Sequence, residues 1–142
     1  MNDETFMKEA IKDAKENGHL FGAVIVKEKK IISYGGKRPP GDARYHAETQ
    51  AILNAGKNLD GSTLYSTCEP CPMCFYMAWT TGISKIVYGV TIQDSIKEGI
   101  NEIDISVQEL NKKSGRKIQL EAGILREECF ELLKGHFAQN YP

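Results

Sequence analysis

Pro70-Cys71-Pro72-Met73-Cys74 places two thiols three residues apart, and His46-Ala47-Glu48 lies upstream of this stretch. One imidazole and two thiolates form an incomplete tetrahedral shell for zinc, whose usual ligands are cysteine sulfur and histidine nitrogen. The open position leaves room for a water molecule, and zinc lowers the pKa of such a water to roughly 7. The sequence therefore predicts a catalytic zinc site with ligands His46, Cys71 and Cys74, and with Glu48 as the group that accepts and delivers protons.

Two other kinds of metal site use the same cysteines. A closed structural zinc site would take Cys68 as a fourth ligand. An iron–sulfur cluster would require a fourth cysteine where the chain has Ala78. The carboxylate of Glu48 has no purpose in a closed structural site, so the residues favour the catalytic interpretation over both alternatives.

The segments around the three ligands predict helices that begin close to the metal. Proline suits the first turn of a helix, which predicts a helix over residues 70–81. His46 stands near the start of a second predicted helix, over residues 44–58. A helix N-terminus favours the thiolate form of cysteine, which is the form that binds zinc. Because His46 and the two cysteines are expected to share one ion, the starts of the two helices are expected to meet there.

Hydrophobic periodicity outside these segments predicts alternating helices and strands. This order predicts an α/β layered domain in which strands joined through helices pair in parallel. No repeat or linker interrupts the chain, so a single domain over residues 1–142 is expected. The remaining predicted helices cover residues 3–17, 106–113 and 125–138, and the predicted strands cover residues 22–26, 30–34, 62–66, 85–90 and 117–121.

Composition narrows the possible partners. A net charge of −1 provides no overall basic field for nucleic acid or an anionic membrane. No apolar run has the length of a membrane span, and the acidic N-terminus does not resemble a signal peptide. Three of the four cysteines lie within seven residues, a clustering typical of metal ligands in a reducing compartment. We therefore expect a cytoplasmic protein without membrane contact.

The chain resembles the cytidine/deoxycytidylate deaminase superfamily over residues 6–137, nearly its whole length. The motifs His46-Ala47-Glu48 and Thr67-Cys68-Glu69-Pro70-Cys71-Pro72-Met73-Cys74 resemble those of guanine deaminases and tRNA adenosine deaminases. Residues 21–27 look like the first strand of guanine deaminases. Residues 122–129 look like the corresponding stretch of bacterial tRNA adenosine deaminases.

The resemblance implies a three-layer α/β/α fold with a five-stranded mixed sheet, and commonly a homodimer. It implies zinc held by His46, Cys71 and Cys74, with Glu48 as proton shuttle. By analogy, Ala47, Glu69 and Pro70 would lie beside the bound base. The implied reaction is hydrolytic removal of an exocyclic amine, with release of ammonia.

The substrate expectation is a purine or pyrimidine base or nucleoside, with guanine-type substrates first because of the first-strand similarity. The alternatives are tRNA adenosine and cytosine or cytidine. A non-catalytic, zinc-stabilised binding module is the alternative from another class, and the intact Glu48 argues against it.

The chain departs from the family pattern at two places. Family members often carry an asparagine that contacts the substrate in the loop after the second strand, and residues 36–40 contain none. A usually small position after Phe75 is Tyr76, which is expected to narrow the pocket or alter the dimer surface. The aromatic residues that follow the second ligand, Phe75, Tyr76 and Trp79, are predicted to belong mainly to the core.

Three further groups of residues carry expectations of their own. The basic residues Lys37, Arg38 and Arg44 are predicted to form a solvated loop in preference to a phosphate grip. His19 is assigned to the surface or to packing. A C-terminal aromatic lid, formed by Phe137 and Tyr141, is a hypothesis.

Overall fold

The computed structural model describes residues 2–39 and 41–135. Their five strands form one sheet in the order β2-β1-β3-β4-β5, and helices cover both faces. The predicted α/β/α class with a five-stranded mixed sheet is confirmed. In chain order the elements are α1 (Asp3–Asn17), β1 (Ala23–Lys27), β2 (Lys30–Tyr34), α2 (Ala47–Ala55), β3 (Thr63–Cys68), α3 (Pro72–Thr80), β4 (Lys85–Val90), α4 (Ile92–Lys97), α5 (Val107–Lys113), β5 (Gln119–Ala122) and α6 (Arg126–Leu133).

The sheet is mixed because its first strand runs against both neighbours. β1 pairs antiparallel with β2 and β3, whereas β3, β4 and β5 pair in parallel. The expected parallel pairing therefore holds for β3 with β4 and for β4 with β5. β2 and β3, joined through α2, point the same way but do not pair, since β1 lies between them.

Alternate residues of β1 pack into two separate hydrophobic cores, one on each face of the sheet. Val24 and Val26 pack into the core under α1 and α6. Ala23 and Ile25 pack into the core under α2 and α3, which also contains Val107 of α5. This period-two alternation is what a sheet covered on both faces requires.

Gly22 lets α1 lie directly against the start of β1. A Cβ atom at this position would stand 2.0 Å from the Ala10 carbonyl oxygen and 2.7 Å from the Ala14 nitrogen, both of which are backbone atoms. Only a residue without a side chain permits this approach. The helix thus fixes the chain just before the strand, where Leu20 and Phe21 enter the pocket described below.

Several predicted element boundaries were wrong, for local reasons. α2 begins at Ala47 because His46 is extended, with φ −93° and ψ 159°, and serves as the N-cap. α3 begins at Pro72 because Cys71 is its N-cap, so Pro70 lies before the helix. The sequence analysis missed α4, which Thr91 starts through a capping box with Asp94.

The end of the last predicted helix and the proposed lid residues, Phe137 and Tyr141, lie outside the described residues. Across residues 2–39 and 41–135, the helices are too short or too polar to span a bilayer.

One edge of the sheet collects four chain segments. β1 starts at this edge, and β2, β3 and β4 end there, because β1 runs antiparallel to β3 while β2 and β4 run alongside it in the same direction. The segments around residues 19–21, 38–39, 42–48, 68–71 and 100–102 therefore meet at one place, and they line one pocket. Open α/β sheets commonly bind ligands at such an edge.

Candidate active site

Three potential ligand atoms converge at the starts of two helices. His46 Nδ1 lies 3.5 Å from Cys71 Sγ and 3.4 Å from Cys74 Sγ, and the two sulfur atoms are 3.5 Å apart. His46 is the N-cap of α2 and Cys71 is the N-cap of α3. Cys74 follows one turn later and is fully buried. The expected meeting of two helix starts is present.

The spacing and chemistry of these atoms fit zinc. Tetrahedral zinc, with typical zinc–sulfur and zinc–nitrogen distances, separates neighbouring ligand atoms by roughly 3.5 to 3.8 Å. The observed separations of 3.4 to 3.5 Å lie within about 0.1 Å of this range. Two sulfurs and one imidazole nitrogen leave a fourth position for a non-protein ligand, as in catalytic sites.

Cys68 does not join this cluster in the described part of the chain, where the group able to hold a metal consists of His46, Cys71 and Cys74. The Cys68 thiol faces the Thr91 carbonyl oxygen at 4.0 Å, and burial raises its pKa well above the usual value. The geometry therefore does not support the closed four-ligand alternative.

The cluster carries its negative charge on Cys71, since the hydrogen bond with Cys71 raises the pKa of the Cys74 thiol well above its usual value. The hydrogen bond with Cys74 lowers the pKa of the Cys71 thiol to about 4, so Cys71 is a thiolate at neutral pH. The hydrogen bond with Cys71 raises the pKa of His46 to about 9. Thiolate is the form of cysteine that binds zinc.

Glu48 is buried beside these ligands and is only 6% exposed. Helical spacing would turn positions 46 and 48 to different faces, but His46 is extended and precedes the helix, so both side chains reach one pocket. Burial raises the pKa of the Glu48 carboxyl group to about 7. A carboxyl group in such an environment suits proton transfer near neutral pH.

The pocket above the cluster has a volume of about 320 Å³. It lies at the small end of the range for ligand pockets, which suits a single base or nucleoside. Its floor includes His46, Glu48 and Cys71, and its walls include Leu20, Phe21 and Ile100. The site thus joins a candidate metal cluster, a buried carboxyl group and a small, partly apolar cavity.

The sequence profile of the cytidine and deoxycytidylate deaminase zinc-binding region matches residues 1–90 of the chain. These residues contain His46, Glu48, Cys71 and Cys74. The chain belongs to this deaminase family. It is a zinc-dependent enzyme that hydrolyses C–N bonds.

Individual relatives of this deaminase act on different substrates. A guanine deaminase from Bacillus subtilis is 37% identical over 72% of this chain and 73% of that protein. A tRNA-specific adenosine deaminase from the same organism is 33% identical over 96% of this chain and 89% of that protein. A probable cytosine deaminase from Schizosaccharomyces pombe is 38% identical over 67% of this chain, which spans 64% of that protein.

A solved structure agrees with the fold of the deaminase. The guanine deaminase from Nitrosomonas europaea superposes with a TM-score of 0.79, at 25% identity over 92% of this chain and 82% of that chain. Because the relatives differ in substrate, the walls of the pocket decide which substrate fits.

The three residues expected beside the base occupy different positions in the deaminase. Ala47 and Glu69 line the pocket, and among the described residues Pro70 is not part of its lining. Both carboxylate oxygens of Glu69 accept backbone hydrogen bonds, from Ile92 and from Val107. Their contact with substrate stays a prediction.

The prediction of a solvated basic loop was wrong for Arg38. Arg38 is only 5% exposed and lines the pocket, whereas Lys37 and Arg44 are exposed. Its guanidinium donates to the carbonyl oxygens of Phe21, at 2.8 Å, and Gly36, at 3.0 Å. The loop without asparagine is therefore folded inwards by an arginine.

His19 supports this inward fold. It is buried, and its Nε2 accepts a hydrogen bond from the Arg38 backbone N–H at 3.3 Å. Burial lowers the pKa of His19 to about 4, so the imidazole is neutral and able to accept this bond. The packing role expected for His19 is present, and the sequence analysis missed its place in the pocket wall.

Two polar residues of the wall escaped the sequence analysis. Asn101 and Glu102 line the pocket from the segment between α4 and α5. Glu102 is partly buried, and burial raises the pKa of its carboxyl group, with a smaller contribution from the charge of Cys71. Glu102 lines the same pocket as His46 and Cys71. No periodic pattern or motif marks this segment in the sequence.

The aromatic residues after the second ligand divide between core and surface. Phe75 is buried as predicted, and Trp79 is partly buried and donates to the Arg116 carbonyl oxygen at 2.8 Å. Tyr76 is 63% exposed and stacks on Trp79, so the core prediction was wrong for Tyr76. Tyr76 does not belong to the pocket lining among the described residues.

Proposed function

We propose that this enzyme deaminates guanine or a closely related purine, converting the C2 amine into a carbonyl with release of ammonia. A single domain over residues 1–142 would carry the activity. The observation that carries the choice of guanine is a second carboxylate, Glu102, in the pocket wall near the metal cluster.

His46, Cys71 and Cys74 are the proposed zinc ligands, on the strength of their chemistry and spacing. When bound, zinc lowers the pKa of water to about 7 and so supplies a nucleophile at neutral pH. Glu48 is the buried carboxyl group in the floor of the pocket, and it would transfer protons to and from the reacting groups.

Glu48 would move one proton at each stage of the reaction. It takes a proton from the attacking water and passes it to the ring nitrogen next to the attacked carbon. The attack gives a tetrahedral carbon that carries both the hydroxyl and the amine. Glu48 then delivers the hydroxyl proton to the amine, which leaves as ammonia while the carbonyl forms.

Glu102 distinguishes guanine from the other bases by hydrogen bonding. The reacting carbon of guanine carries an amine and is bonded to a ring nitrogen that bears a hydrogen. A carboxylate accepts both N–H groups side by side, in the bidentate manner typical of carboxylates. The corresponding ring nitrogen of adenine or cytosine is an acceptor, which would repel an ionised Glu102.

Ala47, Glu69 and Pro70 remain proposed neighbours of the base, supported by the position of Ala47 and Glu69 in the lining. Two residues of the pocket lining could replace the asparagine missing from the loop after β2, Arg38 from that loop and Asn101 from the segment between α4 and α5. Either side chain offers N–H donors to a purine carbonyl or ring nitrogen.

A homodimer is the proposed assembly. Leu53 on α2 is 62% exposed, and Met73 and Tyr76 on α3 are 44% and 63% exposed. Exposed apolar side chains on two neighbouring helices are typical of protein interfaces. We also place the enzyme in the cytoplasm, because all four cysteines are free thiols.

The proposal is tested by measuring ammonia release from guanine, guanosine, adenine, adenosine, cytosine, cytidine and tRNA. Guanine is expected to give the highest kcat/KM. Glu102→Gln should lower kcat/KM for guanine by about a hundredfold or more, because the amide replaces one of the two carboxylate acceptors with an NH₂ donor that faces an N–H group of the base. Activity on tRNA alone, or a Glu102→Gln variant with unchanged guanine activity, would contradict the proposal.

A further inference from the structure

The carboxylate of Glu69 joins two helices that are distant from it in sequence. Glu69 follows β3 and is 5% exposed. Its Oε1 accepts a hydrogen bond from the Ile92 backbone N–H at 3.0 Å, and its Oε2 accepts one from the Val107 N–H at 2.8 Å. One side chain thus binds the first residue of α4 and the first residue of α5.

These two amides are donors that the helices do not satisfy themselves. The first N–H groups of any helix lack an acceptor within the helix. Thr91 and Ser106 cap the N–H groups of Asp94 and Glu109, at 3.0 and 3.1 Å. The N–H groups of Ile92 and Val107, the first residues of the two helices, lie on buried residues, and Glu69 supplies the acceptor for both.

The chain between these two anchor points forms one wall of the pocket. Residues 100–106 have no regular secondary structure, and Ile100, Asn101 and Glu102 line the cavity. A segment without its own hydrogen-bond ladder takes its position from the points at which it is held. Glu69 holds one end of this wall at Val107 and reaches the other end through α4, which begins at Ile92.

The backbone of Glu69 directly follows β3, the strand that leads to Cys71, and is fixed to the end of β4. Its backbone N–H donates to the Val90 carbonyl oxygen at 2.8 Å, and Cys71 follows two residues later. The same residue therefore links the segment that carries Cys71 to the wall that carries Glu102.

We propose that Glu69 is a positioning residue that sets the place of Glu102 relative to the metal cluster. Glu69 acts through the backbone of residues 92–107, with its carboxylate facing two amides instead of the substrate. The role of Glu102 rests on the proposed function, whereas the anchoring of the wall does not.

A double-mutant cycle of Glu69→Gln and Glu102→Gln separates positioning from general destabilisation. The glutamine turns an NH₂ group towards one of the two backbone N–H groups, so one anchor is lost. Ser106→Ala is the matched control, because it weakens the start of α5 at the same wall and leaves Glu69 in place. The measurements are kcat/KM for guanine, zinc content, and hydrogen exchange of residues 99–105.

Glu69→Gln is expected to lower kcat/KM by about tenfold or more alone, and by less than about threefold when Glu102→Gln is already present. Zinc content stays at the wild-type level, and residues 99–105 exchange faster than in Ser106→Ala. Should Glu69→Gln fail to fold, Glu69→Asp keeps the charge but is too short to reach both amides, and it enters the same cycle.

Three results would overturn the proposal. The first is a double variant whose fold-loss in kcat/KM equals the product of the two single losses. The second is a lower zinc content in Glu69→Gln. The third is an unchanged rate of hydrogen exchange in residues 99–105 of Glu69→Gln. The exchange measurement needs no substrate, so it also decides the anchoring role if guanine proves to be the wrong base. In that case kcat/KM in the double-mutant cycle is measured with the base that the wild-type enzyme deaminates.

Discussion

His46 Nδ1 lies 3.4 Å from Cys74 Sγ, although 28 residues separate the two positions in the sequence. The contact joins the start of α2 to the start of α3, and the sheet strand β3 connects the two helices. The distance suits two ligands of one zinc ion, so the metal is expected to stabilise the junction of these elements.

The first prediction concerns the metal. His46→Ala should lower the zinc content from about one ion per chain to well below that value, because two ligands remain. Wild-type enzyme treated with a chelator should melt at a lower temperature, since a ligand present at 100 times its Kd stabilises the folded state by about 2.7 kcal/mol. Elemental analysis and thermal melting check both statements.

Cys129 is a buried cysteine away from the cluster. Cys129→Ala is therefore the control for the metal measurements, and it should retain zinc. Equal zinc content in His46→Ala and the wild type would show that the metal, if present, is held elsewhere.

The second prediction concerns assembly. Tyr76→Glu and Leu53→Glu place charges on the exposed apolar side chains of α3 and α2 and should convert a dimer into a monomer. Light scattering after size exclusion measures the mass. Ile103→Glu, at a side chain that is 64% exposed in the segment between α4 and α5, is the control and should leave the mass unchanged. A wild-type protein that is already monomeric would refute the proposed dimer.

The third prediction concerns the packing of α1 on β1. Gly22→Ala should destabilise the protein by about 3 kcal/mol or more, because the new Cβ meets backbone atoms that cannot move aside cheaply. Gly115→Ala is the matched control, since nothing lies within 4 Å of a Cβ at that glycine. Denaturant unfolding gives both free energies, and equal values for the two variants would contradict this account of the packing.

The metal cluster could be predicted from the sequence because its chemistry is local. Cys71 and Cys74 are spaced by one helical turn, and their side chains can meet only on one face. The role of His46 as N-cap also explains how Glu48 reaches the same pocket, which helical spacing alone made difficult to understand.

The pocket walls could not be predicted because distant backbone atoms determine them. Arg38 turns inwards to reach the Phe21 carbonyl oxygen, which lies 17 residues earlier in the sequence. Glu102 faces the pocket from a segment without periodicity, and Glu69 binds the first residues of α4 and α5, on either side of that segment, from 23 and 38 residues away. Contacts of this kind leave no local pattern in the sequence.

The fold was predicted better than its boundaries. The alternation of helical and strand patterns in the sequence predicted the order of most elements. The starts of three helices depend on their N-cap residues, which are His46, Cys71 and Thr91. The antiparallel pairing of β1 with β3 depends on the whole sheet, and the strand patterns alone did not indicate it.

The central claim is that Glu48 carries protons in a zinc-dependent deamination. Its most direct test is ammonia release by Glu48→Gln at a zinc content matched to that of the wild type. The side chains have nearly the same size, but glutamine cannot accept and deliver a proton, so kcat should fall by about a thousandfold or more. Full activity of Glu48→Gln with its zinc retained would contradict the proposed mechanism.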